Sequence, residues 1–189
     1  MAKEEKEFSF GDLNRAMSKV SMYGDTMDNS DISTIDEYLN TGNYMLNAAL
    51  VGDIFKGYPN NRSTALVGPS GTGKTYLILN ACKQAQDQGY YIVYYDSENA
   101  VDKTLLNKFK IDLTKFRYEP VNTVQEFRSN ITTMLDTLIE NKEKGFKIPK
   151  IMVCLDSAGN LATQKEIFRK LSIQHRFEMP EIKRHLKIW

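Results

Sequence analysis

Residues 68 to 75 read Gly-Pro-Ser-Gly-Thr-Gly-Lys-Thr and satisfy the pattern G-x-x-x-x-G-K-[ST]; nothing else in the 189-residue chain restricts its fold as strongly. The requirement is physical. Successive backbone N–H groups must point inward at phosphate oxygens, which calls for glycine wherever a Cβ would block the turn or the ligand. The helix that follows then presents the positive end of its dipole to the same anion. Such a loop needs a strand before it and a helix after it. Residues 64 to 67 read as a short apolar strand, and the text after Gly73 reads as a helix running to about Gly89. Gly68, Pro69, Ser70, Gly71, Thr72, Gly73, Lys74 and Thr75 are therefore the expected nucleotide cradle. Lys74 reaches the β- and γ-phosphates in this reading, and the Thr75 hydroxyl ligates Mg²⁺.

The surrounding text alternates strand and helix signals. "YYIVYYDSE" (90 to 98) is apolar, β-branched and aromatic; "AVDKTLLNKFKI" is a short helix; "FRYEPV" reads as a third strand. A longer helix follows, with Val124, Phe127, Ile131, Met134, Leu135 and Leu138 on one face and Thr123 and Glu126 at capping-box spacing. Gly145 closes it, and "KIMVCLDS" is a fourth strand with a continuous apolar run. Near-continuous apolar strands separated by helices predict an α/β fold with a mostly parallel sheet covered on both faces. No internal repeat or low-complexity tract interrupts it.

Two carboxylates stand where such a sheet binds ligands, at the carboxyl ends of its strands. Asp156 ends the fourth strand and can hold Mg²⁺ through water, as a Walker B residue does; the alternative is an ordinary strand-ending Asp. Glu98 follows the second strand, the neighbour of the phosphate-loop strand if the usual order holds. It could orient or deprotonate an attacking water, or serve no catalytic purpose. Asp96 reads as a structural or capping residue.

The formal net charge of +1 argues against a generally basic nucleic-acid binder. Charge is nevertheless uneven. Residues 1 to 40 hold four Lys/Arg against nine carboxylates, a net of −5, and residues 165 to 189 hold seven against three, a net of +4. Cys82 and Cys154 offer neither a metal-ligand spacing nor a disulfide framework and read as core thiols in a reducing compartment. No apolar run approaches the roughly 18 residues of a membrane helix, so a soluble cytoplasmic protein with no membrane contact is expected. Near the start, Leu13, Ala16, Met17 and Val20 form one apolar stripe on a helix ended by Gly24, cut off from the rest by a polar run. That stripe either packs on its own core or docks on a neighbouring copy.

Taken together, these stretches resemble the ATPase core of the RecA family of recombinases, most closely the UvsX-type proteins of tailed phages. The likeness rests on "LNTGNYMLNAALVGDIFKGYP", the phosphate loop, "YYDSENAVD" and "CLDSAGNLATQKE", in order over about residues 33 to 166. Glu98 lies 24 positions after Lys74, the family's placement for its catalytic Glu. The resemblance implies ATP and Mg²⁺ as cofactors, Lys74 and Glu98 as catalytic residues, and Thr75 and Asp156 as metal ligands. It further implies a DNA-dependent ATPase that forms a filament on single-stranded DNA, exchanges strands in recombination and repair, and holds ATP between protomers. The helix bearing Leu13 would dock on the adjacent protomer, in the host cytoplasm if the protein is viral.

The expected organisation is an arm at 1–32, a partial RecA-like core at 33–166, and a divergent basic tail at 167–189. The family continues past its Walker B strand with DNA-binding loops and further sheet, which the text between Ala162 and Trp189 does not resemble. A truncated or frame-disrupted product is the expectation, with an exposed sheet edge and an uncovered apolar face. The tail reads as solvated or as a nucleic-acid patch, and His175 and His185 as surface residues. The alternatives are a non-catalytic ATP-binding remnant that regulates a full-length filament, or another RecA-fold ATPase such as a helicase.

Overall fold

The computed structural model describes residues 9–20 and 34–167. Three parallel strands form its sheet: β3 (Tyr91–Asp96) in the middle, β4 (Phe116–Pro120) on one side and β5 (Ile151–Asp156) on the other. A separate hairpin-like pair, β1 (Tyr38–Leu39) and β2 (Tyr58–Pro59), is antiparallel and brackets α2 (Tyr44–Val51). The remaining helices are α1 (Phe10–Met17), α3 (Lys74–Asp87), α4 (Lys103–Lys108) and α5 (Val124–Glu143). The expected parallel α/β architecture is the one observed.

Side-chain alternation along β3 sorts the layers. Ile92 and Tyr94 face α3 and α4, where Leu79, Cys82, Ala85, Leu106, Ile111 and Cys154 complete the core. Tyr95 faces the other way, edge-on to Phe127 of α5 with ring centroids 4.9 Å apart, and donates to Asn130 Oδ1. Both faces thus carry helices. The thiols of Cys82 and Cys154 are buried and free, with their sulfurs 3.7 Å apart. Cys154's sulfur and burial push the Cys82 thiol pKa well above its ordinary value.

The β1–α2–β2 unit is fastened to this body at two places. At one, Glu37 accepts from Lys150 Nζ (2.6 and 2.7 Å) and from the Tyr90 hydroxyl (3.2 Å). At the other, Leu39 enters the core beside α3. Within the unit the amide of Asn47, fully buried, accepts from the Thr41 N–H and hydroxyl (3.0 and 2.7 Å) and donates to Asn40 Oδ1 and Ile54 O. Gly57 closes over this network. A Cβ there would lie 2.5 Å from Leu39 O and 2.7 Å from Asn47 Oδ1, so no larger residue fits.

The capping box expected at α5 is present, with the Glu126 N–H on Thr123 Oγ1 and the Glu126 carboxylate on the Thr123 N–H. Helix α3 stops near Gly89, whose φ of +85° reverses the chain into β3. The strand expected at residues 64 to 67 does not form. That segment pairs with nothing and Val67 is 94% exposed. β-branched and apolar residues favour extended backbone, but a strand exists only through a ladder, and among the described residues no partner reaches it. Consequently β3 is not the neighbour of a phosphate-loop strand; it lies between β4 and β5.

Helix α1 is capped by Ser9, whose side chain accepts from the Gly11 N–H, and it ends at Met17. None of its residues is buried by the other described residues, and Leu13, Met17 and Val20 are exposed. Gly24 and the basic tail with His175 and His185 fall outside the described residues. Among the described residues, no helix is long and apolar enough to cross a membrane.

Candidate nucleotide site

The glycine loop leads straight into α3. Gly73 is the N-cap with φ +87°, and Gly71 has φ +78°; both conformations strain any residue with a side chain. No side chain caps this helix, and its first turn holds no acidic residue. Its leading N–H groups are therefore left for an anion. The loop is exposed and held by its own bonds: Thr72 Oγ1 donates to Pro69 O (2.9 Å), and Lys74 Nζ to Gly68 O and Pro69 O (2.9 and 2.8 Å). An ammonium resting on neutral carbonyls beside an uncapped helix start is a donor set that suits a polyphosphate.

Across the loop lies the carboxyl end of the sheet. The Thr75 hydroxyl donates to Asp156 Oδ2 at 2.6 Å, joining residues 81 positions apart. Tyr94 donates to the same oxygen at 2.9 Å. Burial, and then the Asp156 charge, push the Tyr94 phenol far above its ordinary pKa, so it remains a neutral donor. Asp156 is 7% exposed, and the two hydroxyls hold it in one orientation. Among the described residues no group of three or more His, Cys, Asp or Glu side chains gathers to hold a metal. A cation bound here would thus be shared between Thr75, Asp156 and oxygens of the ligand, the ligation Mg²⁺ favours.

The register of the sheet brings the second carboxylate alongside. Asp96 of β3 sits opposite Asp156 of β5, so the segments that leave these strands run together. The Ser97 N–H donates to Asp156 O at 2.8 Å. Ser97 Oγ donates to Ser157 O and accepts from the Ser157 N–H, each at 2.8 Å, beside the cis Asp156–Ser157 peptide. Glu98, exposed, accepts from Asn160 Nδ2 (2.7 Å) and Ser157 Oγ (3.2 Å). Asp96 is spent on structure, accepting from the N–H groups of Glu98 and Val101 and from the Tyr118 hydroxyl. Thr75, Asp156 and Glu98 are thus assembled at one edge. Ser97, Tyr94, Ser157 and Asn160, which fix the carboxylates, went unnoticed in the sequence; the repeated Asp-Ser at the ends of two strands was the available signal.

Comparison with known proteins gives the chain's family. Residues 5–175 match the model of the RecA N-terminal domain. The chain belongs to the RecA N-terminal domain family. Among curated relatives, Protein RecA of Lactobacillus delbrueckii subsp. bulgaricus is 30% identical over 176 residues, covering 93% of this chain and 45% of the relative. Protein RecA of Lactobacillus acidophilus is 29% identical with the same coverage, and that of Mesoplasma florum 26% identical, covering 80% and 39%. This RecA-family chain spans less than half the length of these relatives.

Proposed function

We propose that the chain is the ATP-binding part of a RecA-type recombinase, a DNA-dependent ATPase acting on single-stranded DNA in recombination and repair. The observation that carries the reading is the Thr75–Asp156 hydrogen bond, which joins the glycine loop to the end of β5 beside Glu98. In this reading Gly68, Pro69, Ser70, Gly71, Thr72 and Gly73 supply the loop around the phosphates, and Lys74 leaves its two carbonyls to neutralise β- and γ-phosphate oxygens. Thr75 and Asp156 hold Mg²⁺, which supplies charge neutralisation when bound. Glu98, kept in place by Ser157 and Asn160, orients the attacking water and accepts its proton.

The core at 33–166 carries this chemistry, and the arm at 1–32 supplies contact between copies. The exposed apolar side chains of Phe10, Met17 and Val20 support docking of α1 on an adjacent protomer in a filament. The exit from β5, "CLDSAGNLATQKE", supports placement with UvsX-like phage recombinases.

Titration of the full chain with ATP and Mg²⁺ tests the site. Lys74→Ala should weaken ATP binding by tenfold or more, on the order of 1.5–3 kcal/mol for a charge-assisted phosphate contact. Unchanged affinity together with unchanged hydrolysis would sink the assignment. Hydrolysis that rises on adding single-stranded DNA supports the recombinase reading; binding without turnover, with co-assembly onto a full-length recombinase, favours a regulator.

A further inference from the structure

The chain holds two cysteines in 189 residues, and the fold brings both to one point. Cys82 lies in α3 and Cys154 in β5, 72 positions apart, yet their sulfurs meet at 3.7 Å. A separation of that length carries no signal in the sequence; the packing of α3 on the sheet creates the pair. Both thiols are free and buried, in one core cluster with Leu79, Ala85, Ile92 and Tyr94.

As packing units the two side chains are small hydrophobes. What they add to the core is chemistry. A disulfide holds its sulfurs about 2.05 Å apart, so bonding asks for an approach of roughly 1.7 Å from the 3.7 Å contact. The two thiols are not equivalent. Cys82 is fully buried, and its hydrogen bond with Cys154, then burial, keep it protonated. Cys154 retains 6% exposure, so a small uncharged oxidant meets it first.

A bond between these sulfurs would join the two elements that carry the candidate site. Helix α3 opens with Lys74 and Thr75, β5 ends in Asp156, and the Thr75–Asp156 hydrogen bond already spans them. Cys82 follows Thr75 by seven positions, about two helical turns, and Cys154 precedes Asp156 by two, on the same face of β5.

We propose that Cys82 and Cys154 are a peroxide-sensitive pair that closes to an intramolecular disulfide and clamps α3 to β5. Hydrogen peroxide oxidises the Cys154 thiol to a sulfenic acid; the O–O bond breaks and one water leaves. The Cys82 sulfur then attacks the Cys154 sulfur, the S–O bond breaks, and the hydroxyl departs with the Cys82 proton as a second water. In all, two thiols give up two electrons and two protons, and one peroxide becomes two waters. A thiol reductant reopens the bond by exchange. The inference does not depend on what the site binds.

The full chain, reduced and then freed of reductant, is treated with hydrogen peroxide, alkylated, and read by intact mass and peptide mapping. The monomer should lose about 2 Da, yield a linked Cys82–Cys154 peptide, and regain its starting mass with dithiothreitol. In Cys82→Ala the sulfenic acid should persist on Cys154 and be captured by dimedone, whereas in Cys154→Ala the Cys82 thiol should survive the same dose. Oxidised wild type should also have a higher urea midpoint than the reduced form, because the cross-link constrains a long loop of the unfolded chain. Thiols that stay reduced until urea unfolds the protein overturn the inference, as do oxidation beyond sulfenic acid without a linked peptide and disulfides formed only between two copies. A linked monomer with an unchanged or lower midpoint removes the clamp. The wild-type peptide map decides even if an alanine variant fails to fold.

Discussion

On the α3 side of the sheet, Leu79, Ala81, Cys82, Ala85, Ile92 and Tyr94 are all 1% exposed or less, whereas α5, on the other side, runs for 20 residues without burying one. Leu135 and Ile139 on α5 are about half exposed, and Val153 of β5 is 40% exposed. Both helices carry an apolar stripe. The difference is what the stripe meets: α3 meets Ile92, Tyr94 and Cys154 across a closed layer, while α5 meets Tyr95 through Phe127 and Asn130 and is fixed at its start by the capping box. The dense side is also the side that fixes Thr75 against Asp156. The same packing that stabilises the protein therefore positions the candidate site.

This contrast can be broken by substitution. Leu79→Ala, which empties a fully buried position, should cost about 3 kcal/mol in urea unfolding and loosen the seat of α3. A loss below about 1 kcal/mol would mean that this face is not the core. Thr123→Ala removes the cap that compensates for weak burial on the α5 side and should cost about 1 kcal/mol. Leu135→Ala should change the unfolding free energy by less than about 0.5 kcal/mol, as for an ordinary surface site. A cost above about 2 kcal/mol would show α5 to be covered in solution, by another copy or by further chain.

The cap also gives the α5 side a pH signature. The Asn122 N–H, and then the N–H of Thr123, hold the Glu126 carboxyl below its ordinary value of 4.5. A depressed carboxyl stabilises the folded state above its unfolded pKa, and that contribution is lost as pH falls through the lower folded value. Wild type should therefore exceed Glu126→Gln in urea midpoint at pH 7, and the gap should narrow in acid below pH 4.5. A gap that stays constant down to pH 3 or so would remove the carboxylate from the account.

Much of this was legible because it is local. The glycine loop, the start and stop of α3, the capping box at Thr123 and Glu126, and the apolar runs of β3 and β5 depend on neighbours within a few residues. Other parts were invisible for the same reason. Residues 64 to 67 carry strand residues but no ladder, since pairing is decided by what lies alongside. Asn47 is fully buried and organises Thr41 and Ile54, which no pattern of neighbouring residues signals.

The order of residues by itself determined a phosphate-binding loop opening a helix, a parallel α/β layout, and two carboxylates at strand ends, because backbone conformation and side-chain period are set by short-range sterics and burial. Only the tertiary structure decided that β3 lies between β4 and β5 in a register that sets Asp96 opposite Asp156. That register lets Ser97 hold Ser157, and the packing of α3 on the sheet joins Thr75 to Asp156. Such contacts join residues dozens of positions apart, and no local preference specifies them; they exist because the core under α3 closes in one way.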